Sequence, residues 1–548
     1  MIVSERALVI AVRPATALAR QRRLFSALEE AFPVRFAAGA ADAAPAAGLI
    51  VLADPAATMS LPAHAAAPTL VFAASPPRAA VAGDVVLADR APIDRRLRGI
   101  TLHEHVGVTV VEPAPVGRGR VVLATGPGGP AWTRDLAPVP VDRVGVQLPD
   151  LGHSAALRDA LAVPRALALI AIVHFLRALC GKPVWTQPPI RATFVFDDPN
   201  LRRPQYGYVD YRRLVDHGDE HGYHATIAMI PLDAGRADPE AAATFRARPE
   251  RLSLVLHGND HTRGELMRPP DRPAALALGA QALRRVARFE SRTGLRVDRV
   301  MIPPHGLCSS TVTEALGALG YDALCAIHPA PWTEQTPAER VLAGWNPADF
   351  SEGCAVVPRF PLSCSASEIA LRAFLGHPLV LYGHHEDLAS GLNPLAEAAA
   401  RVNRLGDVRW MSLGDIVLGN RAVCVDSGTA VVRPWASRVH VTPPGDATSL
   451  TVESPPGGID GCGLRCWGVP ELGAAAEALD FGVRLEIGRD SDRGGERALT
   501  LRLRPHRDAD AAYVPPPRRR AWPVVRRRVT EARDRMLPAV ATRIQQKR

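Results

Sequence analysis

The sequence predicts an α/β chain of several domains with a distorted parallel (β/α) barrel in its middle. At 548 residues the chain is long enough for roughly three or four domains. Its composition, with 47% hydrophobic and 22% charged residues, excludes a disordered or fibrous protein. Short apolar runs alternate with amphipathic stretches over most of the length, as is typical of strands and helices that alternate around a parallel sheet.

Residues 1–180 are predicted to form an α/β domain of the Rossmann or flavodoxin type. The predicted strands are 7–12, 48–53, 69–73, 121–125 and 144–147, and a helix is predicted at 16–31. The glycine-rich residues 126–130 follow a strand, but they lack the spacing of a phosphate-binding loop and predict a tight turn. No chemistry is assigned to this domain.

Residues 185–420 repeat the order of strand, polar loop and helix, which predicts the barrel. The predicted strands are 192–196, 224–230, 252–256, 299–302, 323–327 and 378–382, and the predicted helices are 273–293, 310–320 and 367–375. Polar residues follow several of these strands. Barrel enzymes carry their active sites at the carboxyl ends of the strands, so the candidate site is expected there.

Residues 421–512 contain short β-branched runs separated by glycine and proline, which predict a small antiparallel β-sandwich. Residues 513–548 form an arginine-rich tail. The whole net charge of +9 lies between 517 and 548, so the rest of the chain is neutral and offers no basic face for nucleic acid. Two interpretations of the tail stay open, a solvated segment and a peripheral contact with an anionic membrane.

The sequence predicts a cytoplasmic location and no membrane-spanning helix. The acidic Glu5 precedes a short apolar run, and no cleavage site of a signal peptide follows it. Arginine and histidine side chains interrupt the most apolar stretch, 155–180, which is therefore a poor candidate for a membrane span.

Two adjacent carboxylates, Asp197 and Asp198, close the predicted strand 192–196. Burying both is costly because like charges repel and each loses its hydration, and a divalent cation would offset that cost. The alternative is a pair of solvated side chains in a surface turn before Pro199.

Two histidines, His257 and His261, follow the predicted strand 252–256 in the motif HGNDH. A separation of four residues on a helical turn brings two imidazoles to one face, close enough to share a metal ion. With 17 histidines in the chain such a pair also arises by chance. Its position after a strand, together with the earlier aspartate pair, favours a metal site.

Two more strand ends carry histidines. Pro304 and His305 lie in the motif MIPPHG, and His384 and His385 lie in VLYGHHED. Four strand ends of one barrel therefore deliver aspartate and histidine side chains to one region.

The motifs FVFDDPN, HGNDH, MIPPHG and VLYGHHED resemble those of the polysaccharide deacetylases, carbohydrate esterase family four, whose domain is also named for NodB homology. The resemblance covers about 185–420 and implies the barrel of the glycoside hydrolase and deacetylase type. It also implies a catalytic base at Asp197, and a divalent metal, Zn²⁺ by ligand type, at Asp198, His257 and His261. The general acid would be His384, with His385 as the alternative.

Further residues are assigned more weakly. Asp260 is expected to orient a ligand histidine or to be a solvated loop acid. Pro304 and His305 would shape the substrate groove, and Tyr206 would line a sugar cleft or be an ordinary packing residue. Asp349 belongs to a weak echo, NPADF, of the family motif D-x-x-D-W.

The chain also departs from the family pattern. The groove arginine, which helps to set the charge state of the base, is replaced by Ile302, and its aromatic partner by His305. Position 258 is glycine instead of serine or threonine. These departures indicate a divergent member with an altered substrate cleft.

The predicted function is a metal-dependent N-deacetylase that acts on an N-acetylated sugar, a polysaccharide or a lipid-linked glycan, with a role in exopolysaccharide modification as an expectation from the resemblance. A non-catalytic carbohydrate-binding or scaffolding protein with a degenerate barrel is the alternative. A hydrolase of other C–N or glycosidic bonds on the same barrel is a third hypothesis.

Overall fold

The computed structural model divides the chain into two compact units. Unit 1 comprises Met1–Val184, Gln335–Trp345 and Ser365–Leu375, and unit 2 comprises Trp185–Glu334, Asn346–Cys364 and Gly376–Arg548. The structure describes residues 7–39, 46–53, 67–74, 81–108, 119–136, 138–152, 155–161, 166–181, 185–186, 188–327, 341–351, 353–426, 428–444, 447, 449–453, 466–468, 476–478, 483–489, 499–505, 509–518 and 521–545.

Unit 1 is built on a nine-stranded sheet. Its strands are β1 (Leu8–Arg13), β2 (Val34–Ala38), β3 (Gly48–Ala53), β4 (Thr69–Ala73), β5 (Val81–Leu87), β6 (Thr101–Val108), β7 (Arg120–Gly126), β8 (Gly129–Asp135) and β9 (Val141–Val144). The order is β2-β1-β3-β4-β9-β8-β7-β5-β6, and the pairs from β2 to β9 are parallel. Its helices here are α1 (Ala15–Arg20), α2 (Arg22–Ala31) and α3 (Ala166–Cys180).

The parallel half of this sheet agrees with the predicted α/β domain, whereas β5 to β8 pair antiparallel. Residue Asp142 of β9 is buried in unit 1. It accepts hydrogen bonds from Nε1 of Trp132 at 3.0 Å and from Nε and Nη2 of Arg134 at 2.9 and 2.8 Å. Both of its carboxylate oxygens are therefore satisfied by donors of the same sheet.

Unit 2 contains a closed barrel of seven parallel strands. In order around the barrel they are β13, β14, β15, β16, β18, β19 and β10, and β10 closes the ring by pairing with β13. Their bounds are β10 (Ile190–Asp197), β13 (Ala225–Met229), β14 (Leu252–His257), β15 (Asp298–Ile302), β16 (Ala323–Ile327), β18 (Cys354–Pro361) and β19 (Leu379–His384). The predicted parallel barrel is confirmed.

Short strands and helices complete this part of the chain. The strands are β11 (Gln205–Tyr206), β12 (Val209–Asp210), β17 (Asp349–Ser351) and β20 (Val408–Trp410). The helices are α4 (Tyr211–His221), α5 (Pro239–Ala247), α6 (Arg272–Thr293), α7 (Ser310–Ala318), α8 (Ala366–Phe374), α9 (Asn393–Asn403) and α10 (Leu413–Leu418). Of these, α8 belongs to unit 1.

Six of the seven barrel strands match strands that the sequence pattern predicts, and β18 is the exception. Proline removes a ladder donor and argues against a central strand, and Pro358 lies in the middle of this apolar run. In the barrel Pro358 nevertheless pairs with Ala326 of β16. Alternate residues of β10, β18 and β19, including Val195, Val357 and Val380, belong to one buried cluster. We take this side of the strands as the barrel interior.

Two four-stranded sheets follow the barrel. One has the order β21-β22-β24-β25 and the other β23-β28-β27-β26. The strands are β21 (Arg421–Asp426), β22 (Thr429–Pro434), β23 (Arg438–Val441), β24 (Ser449–Val452), β25 (Cys466–Gly468), β26 (Ala476–Ala478), β27 (Val483–Arg489) and β28 (Leu499–Pro505). Side chains from both sheets share one core cluster. The pair β22–β24 is parallel, which corrects the prediction of a purely antiparallel sandwich.

The arginine-rich tail contains a helix, α11 (Trp522–Gln545). Three of its polar residues, Arg527, Glu531 and Asp534, are buried against the barrel loops, so this part of the tail is not solvated. Among the described residues, no helix has the length and hydropathy needed to cross a membrane.

Candidate metal and catalytic site

The carboxyl ends of the barrel strands bring the main predicted site residues into one region of unit 2. Strand β10 ends at Asp197, β14 at His257 and β19 at His384. In the strand register Asp197 pairs with His384. The polar side chains therefore meet at the same end of the barrel, as the order of strand and polar loop predicts.

Asp198, His257 and His261 form a compact group of three donors. The Oδ1 atom of Asp198 lies 3.1 Å from Nε2 of His261 and 3.7 Å from Nε2 of His257. This oxygen is buried and accepts no hydrogen bond from any residue that the structure describes. A carboxylate oxygen that faces two imidazole nitrogens is a donor set for Zn²⁺ and neighbouring transition metals. The residues present therefore fit a divalent cation.

The protonation of the histidines agrees with this fit. Nδ1 of His257 lies 3.1 Å from the carbonyl oxygen of Ile302 and donates to it, which leaves the Nε2 lone pair directed at Asp198. Burial lowers the pKa of His257. Burial, followed by the neighbouring charge of His257, lowers the pKa of His261 to about 3. Both imidazoles are therefore neutral near pH 7, as metal ligation requires.

The backbone of the site is strained. Within the described ranges, the non-glycine residues with left-handed backbone are Asp198, His261 and His305, with φ of 82°, 54° and 59°. Such a conformation costs of order 1–3 kcal/mol for each residue and persists only where the surrounding contacts enforce it. All three strained residues lie in the candidate site, two of them in the donor group.

Asp197 is held by an arginine that the sequence analysis missed. Nη1 of Arg359, on β18, lies 2.9 and 2.8 Å from the two carboxylate oxygens of Asp197, and both side chains are buried. The guanidinium also lies over the ring of Tyr382, 4.3 Å from its centroid. Although Ile302 replaces the groove arginine, a guanidinium still reaches Asp197 from another strand. In the sequence Arg359 is the one charged residue of the otherwise apolar segment 354–361.

The loop after β14 explains the glycine at position 258. Gly258 has φ of +61°, and a Cβ atom there would lie 1.8 Å from Oε1 of Glu265 and 2.5 Å from Cγ of Pro304. The carboxylate of Glu265 accepts from the backbone N–H groups of Asn259 at 2.9 Å and Asp260 at 2.8 Å. Glu265 thus fixes the loop between the two histidines and occupies the space that a larger residue at 258 would need.

His384 and His385 point in different directions. Val380 and Tyr382 pack in the interior cluster, and strand alternation places His384 on that same side, with Asp197. His385 faces α11 instead. Its Nε2 lies 3.6 Å from Oδ2 of Asp534, and its ring centroid lies 5.4 Å from that of Tyr206. Of the two histidines, His384 lies on the side of Asp197, and it is exposed at the end of the strand.

His385, Glu386 and Asp534 form a second group of three close donors. Arg533 donates to Asp534 at 2.6 Å and lies 3.9 Å from Glu386. Because a guanidinium already balances these carboxylates, this group is better described as an ion-pair cluster than as a metal site.

Three residues with weaker assignments, Asp260, Pro304 and His305, lie beside the donor group. Oδ1 of Asp260 accepts from the N–H and the hydroxyl of Thr262, at 3.0 and 2.6 Å, so these contacts hold the loop itself. The ring plane of His305 is inclined at 60° to that of His261, with 5.0 Å between the ring centroids. Pro304 is buried, and its ring fills the space that a side chain at position 258 would enter.

The structure favours the packing interpretation of Tyr206 and places Asp349 away from the donor group. Tyr206 is buried, and its hydroxyl donates to Asp534 at 2.7 Å, so it does not line an open cleft. Asp349 pairs with Val356, near the start of β18 and three residues before Arg359. It lies toward the amino end of that strand because β17 forms an antiparallel hairpin there, and not at the site.

No family model matches the chain, and no curated protein matches its sequence. Several solved structures do. A proposed polysaccharide deacetylase from Mycobacterium smegmatis is 16% identical, with a TM-score of 0.30, over 43% of this chain and 91% of that chain. A family 4 carbohydrate esterase from Streptomyces lividans, in complex with acetate, is 13% identical, with a TM-score of 0.24, over 40% and 88%. A family pseudoenzyme from Bacillus anthracis is 9% identical, with a TM-score of 0.25, over 42% and 66%.

These solved structures carry the name of the family that the sequence motifs resemble.

Proposed function

We propose that unit 2 is a metal-dependent N-deacetylase. The observation that carries the proposal is the buried, unpartnered Oδ1 of Asp198, which faces Nε2 of both His257 and His261. Directly before it in the chain, Asp197 accepts hydrogen bonds from Arg359 at both carboxylate oxygens. A metal donor set beside a separate, fixed carboxylate is what hydrolysis by an activated water needs.

Asp198, His257 and His261 would hold the ion, for which the donor types favour Zn²⁺. When bound, such an ion polarises a carbonyl oxygen and lowers the pKa of water. Asp197 would accept the proton of the water that attacks the acetamide carbon. Arg359 keeps this carboxylate in place, because the buried ion pair leaves it little freedom to rotate.

His384 would donate a proton to the amine that leaves the acetyl group. It lies on the interior side of β19 and pairs in register with Asp197, so the base and the acid flank one space. His385 is engaged with Asp534 and is less suited to this role.

The substrate class we propose is an N-acetylated sugar, either free, within a polysaccharide or on a lipid-linked glycan, as in the assembly or modification of an exopolysaccharide. Support comes from the motif resemblance and from the chemistry of the site, which suits an amide carbonyl and an amine leaving group.

The test is acetate release from a panel of N-acetylated sugars by the full chain loaded with Zn²⁺. We expect Asp197→Asn to keep its metal and to lose about 10²–10⁴-fold in kcat, the range for removal of a general base. His384→Gln should behave similarly, whereas the matched variant His385→Gln should retain most activity.

Two outcomes would contradict the proposal. Acetate release that survives Asp197→Asn would remove the base assignment. A metal-loaded chain that releases no acetate but binds the same sugars would favour the carbohydrate-binding alternative.

A further inference from the structure

Helix α11 presents two different faces. Its polar residues Arg527, Glu531 and Asp534 are turned toward the barrel and buried. Arg527 donates to Asp233 and to the carbonyl oxygen of Asp198, both at 2.6 Å. Glu531 accepts from Arg202 at 2.6 Å. Charged groups, rather than apolar ones, thus fasten this helix to unit 2.

The apolar residues of α11 lie on the outward face. Trp522, Val525, Val529 and Met536 are 67%, 49%, 66% and 61% exposed. Their spacings of three, four and seven residues place them in one stripe along the helix. An exposed apolar stripe of this kind, on a helix that ion pairs attach to the barrel, indicates a binding surface for another apolar partner.

The charges beside the stripe are positive. Arg528, Arg533 and Arg535 are all exposed. The acidic residues of the described part of α11, Glu531 and Asp534, both lie on the buried face, and each accepts from one of these arginines, Arg535 and Arg533 respectively. Arg528 makes no ion pair within the described ranges. The outward face is therefore apolar and basic, with no exposed acid in residues 521–536.

We propose that this outward face binds an anionic lipid surface. An apolar stripe rimmed by arginines is the pattern of helices that lie in the interface of anionic membranes. A second copy of the chain fits less well, because pairing two such stripes brings arginines of like charge together. The proposal does not depend on catalysis.

Because α11 is hydrogen-bonded to the donor group, a lipid surface bound to this helix would lie close to the candidate site. Arg526 donates to the carbonyl oxygen of His261, and Arg527 donates to that of Asp198. The helix is thus tied to two of the three metal donors. A lipid surface bound by α11 would lie beside the site, where a glycan attached to a lipid would be presented.

The test is co-sedimentation of the full chain with vesicles of phosphatidylcholine and phosphatidylglycerol in equal parts, and with phosphatidylcholine alone. We expect binding to the mixed vesicles that weakens with salt. Val525→Glu/Val529→Glu should reduce it at least about tenfold, because both charges would have to enter the apolar boundary. Arg528→Gln should reduce it about fivefold, the equivalent of one basic residue near an anionic surface.

Matched controls separate this effect from general changes in charge. Val86→Glu, at an exposed valine of β5, and Arg212→Gln, at an exposed arginine of α4, should bind as the unaltered chain does. Trp522 should give a blue-shifted emission with mixed vesicles that is absent in Trp522→Phe. Circular dichroism and metal content check that each variant is folded.

Three results would overturn the proposal. The unaltered chain could fail to sediment with anionic vesicles at low salt, or the stripe variant could bind as well as the control variants do. Sedimentation velocity without lipid could also show a dimer that Val529→Glu dissociates, which would assign the stripe to a second copy of the chain.

Discussion

Both units contain parallel strands and an aspartate with a buried carboxylate oxygen, but the hydrogen bonding of the two aspartates is opposite. In unit 1 each oxygen of Asp142 accepts hydrogen bonds from Trp132 or Arg134. In unit 2 Oδ1 of Asp198 is equally buried and has no donor among the described residues, only two imidazole nitrogens nearby. Polar groups buried in a fold are normally satisfied. Among the described residues, Asp198 has the one buried carboxylate oxygen without a hydrogen-bond donor, and this, rather than buried charge as such, distinguishes the candidate site.

The largest expected difference between the two aspartates is in the effect of replacing each one by alanine. Asp198→Ala should lose the bound metal while the metal-free chain keeps its stability. Asp142→Ala should keep the metal but lose about 3–5 kcal/mol of unfolding free energy in unit 1, because Arg134 is left buried and unpaired. Metal analysis and denaturant unfolding of both variants measure the two effects, and equal metal loss in both would contradict the distinction.

The ion pair between Asp197 and Arg359 should also contribute to the stability of unit 2. Arg359→Met should cost about 3–5 kcal/mol of unfolding free energy, since it leaves Asp197 buried without its partner. Adding Asp197→Leu to the same chain should recover much of that loss. Denaturant unfolding of the single and double variants gives the coupling, and a double variant no more stable than Arg359→Met would show that the pair is not coupled.

His224 is buried but lies outside the donor group, so its protonation should change the stability of the chain without involving the metal ligands. Both ring nitrogens of His224 are engaged, with the carbonyl of Glu250 and the hydroxyl of Ser253, each at 2.9 Å. Burial lowers its pKa to about 4. The unfolded chain, with a histidine pKa near 6.5, therefore binds the proton first, and stability falls as the pH drops from about 6.5 to 4.

Over that pH range His224 should account for about 3 kcal/mol of lost stability. Unfolding measured at pH 7 and pH 4.5 should show a smaller pH dependence in His224→Gln than in the unaltered chain. The variant should bind metal normally at pH 7. An unchanged pH dependence would assign the acid sensitivity to other groups.

Two glycines with the same backbone conformation test how tightly the loop between His257 and His261 is packed. Gly258 and Gly264 have φ of +61° and +65°, but a Cβ atom would meet neighbours within 4 Å only at the first, where Glu265 and Pro304 lie. Gly258→Ala should therefore cost about 1–3 kcal/mol more than Gly264→Ala and weaken metal binding, because the loop must move. Equal costs would indicate that Glu265 yields without disturbing the loop.

Only part of the fold and of the candidate site could be predicted from the sequence. Barrel strands and the residues at their ends follow from local patterns, such as an apolar run that ends in Asp197-Asp198 or His257. The partner of Asp197 could not be predicted in this way, because Arg359 lies 162 residues away in the chain and its strand contains Pro358. The attachment of α11 depends on single ion pairs with distant loops, which the charge of the tail does not reveal.

The most direct test of the central claim is the metal content of the purified chain and of His257→Ala/His261→Ala, measured by elemental analysis after equilibration with Zn²⁺ at neutral pH. The account predicts one ion per chain and its loss in the double variant. No ion in the unaltered chain, or equal content in both proteins, would contradict the metal site at Asp198, His257 and His261, and with it the proposed hydrolysis.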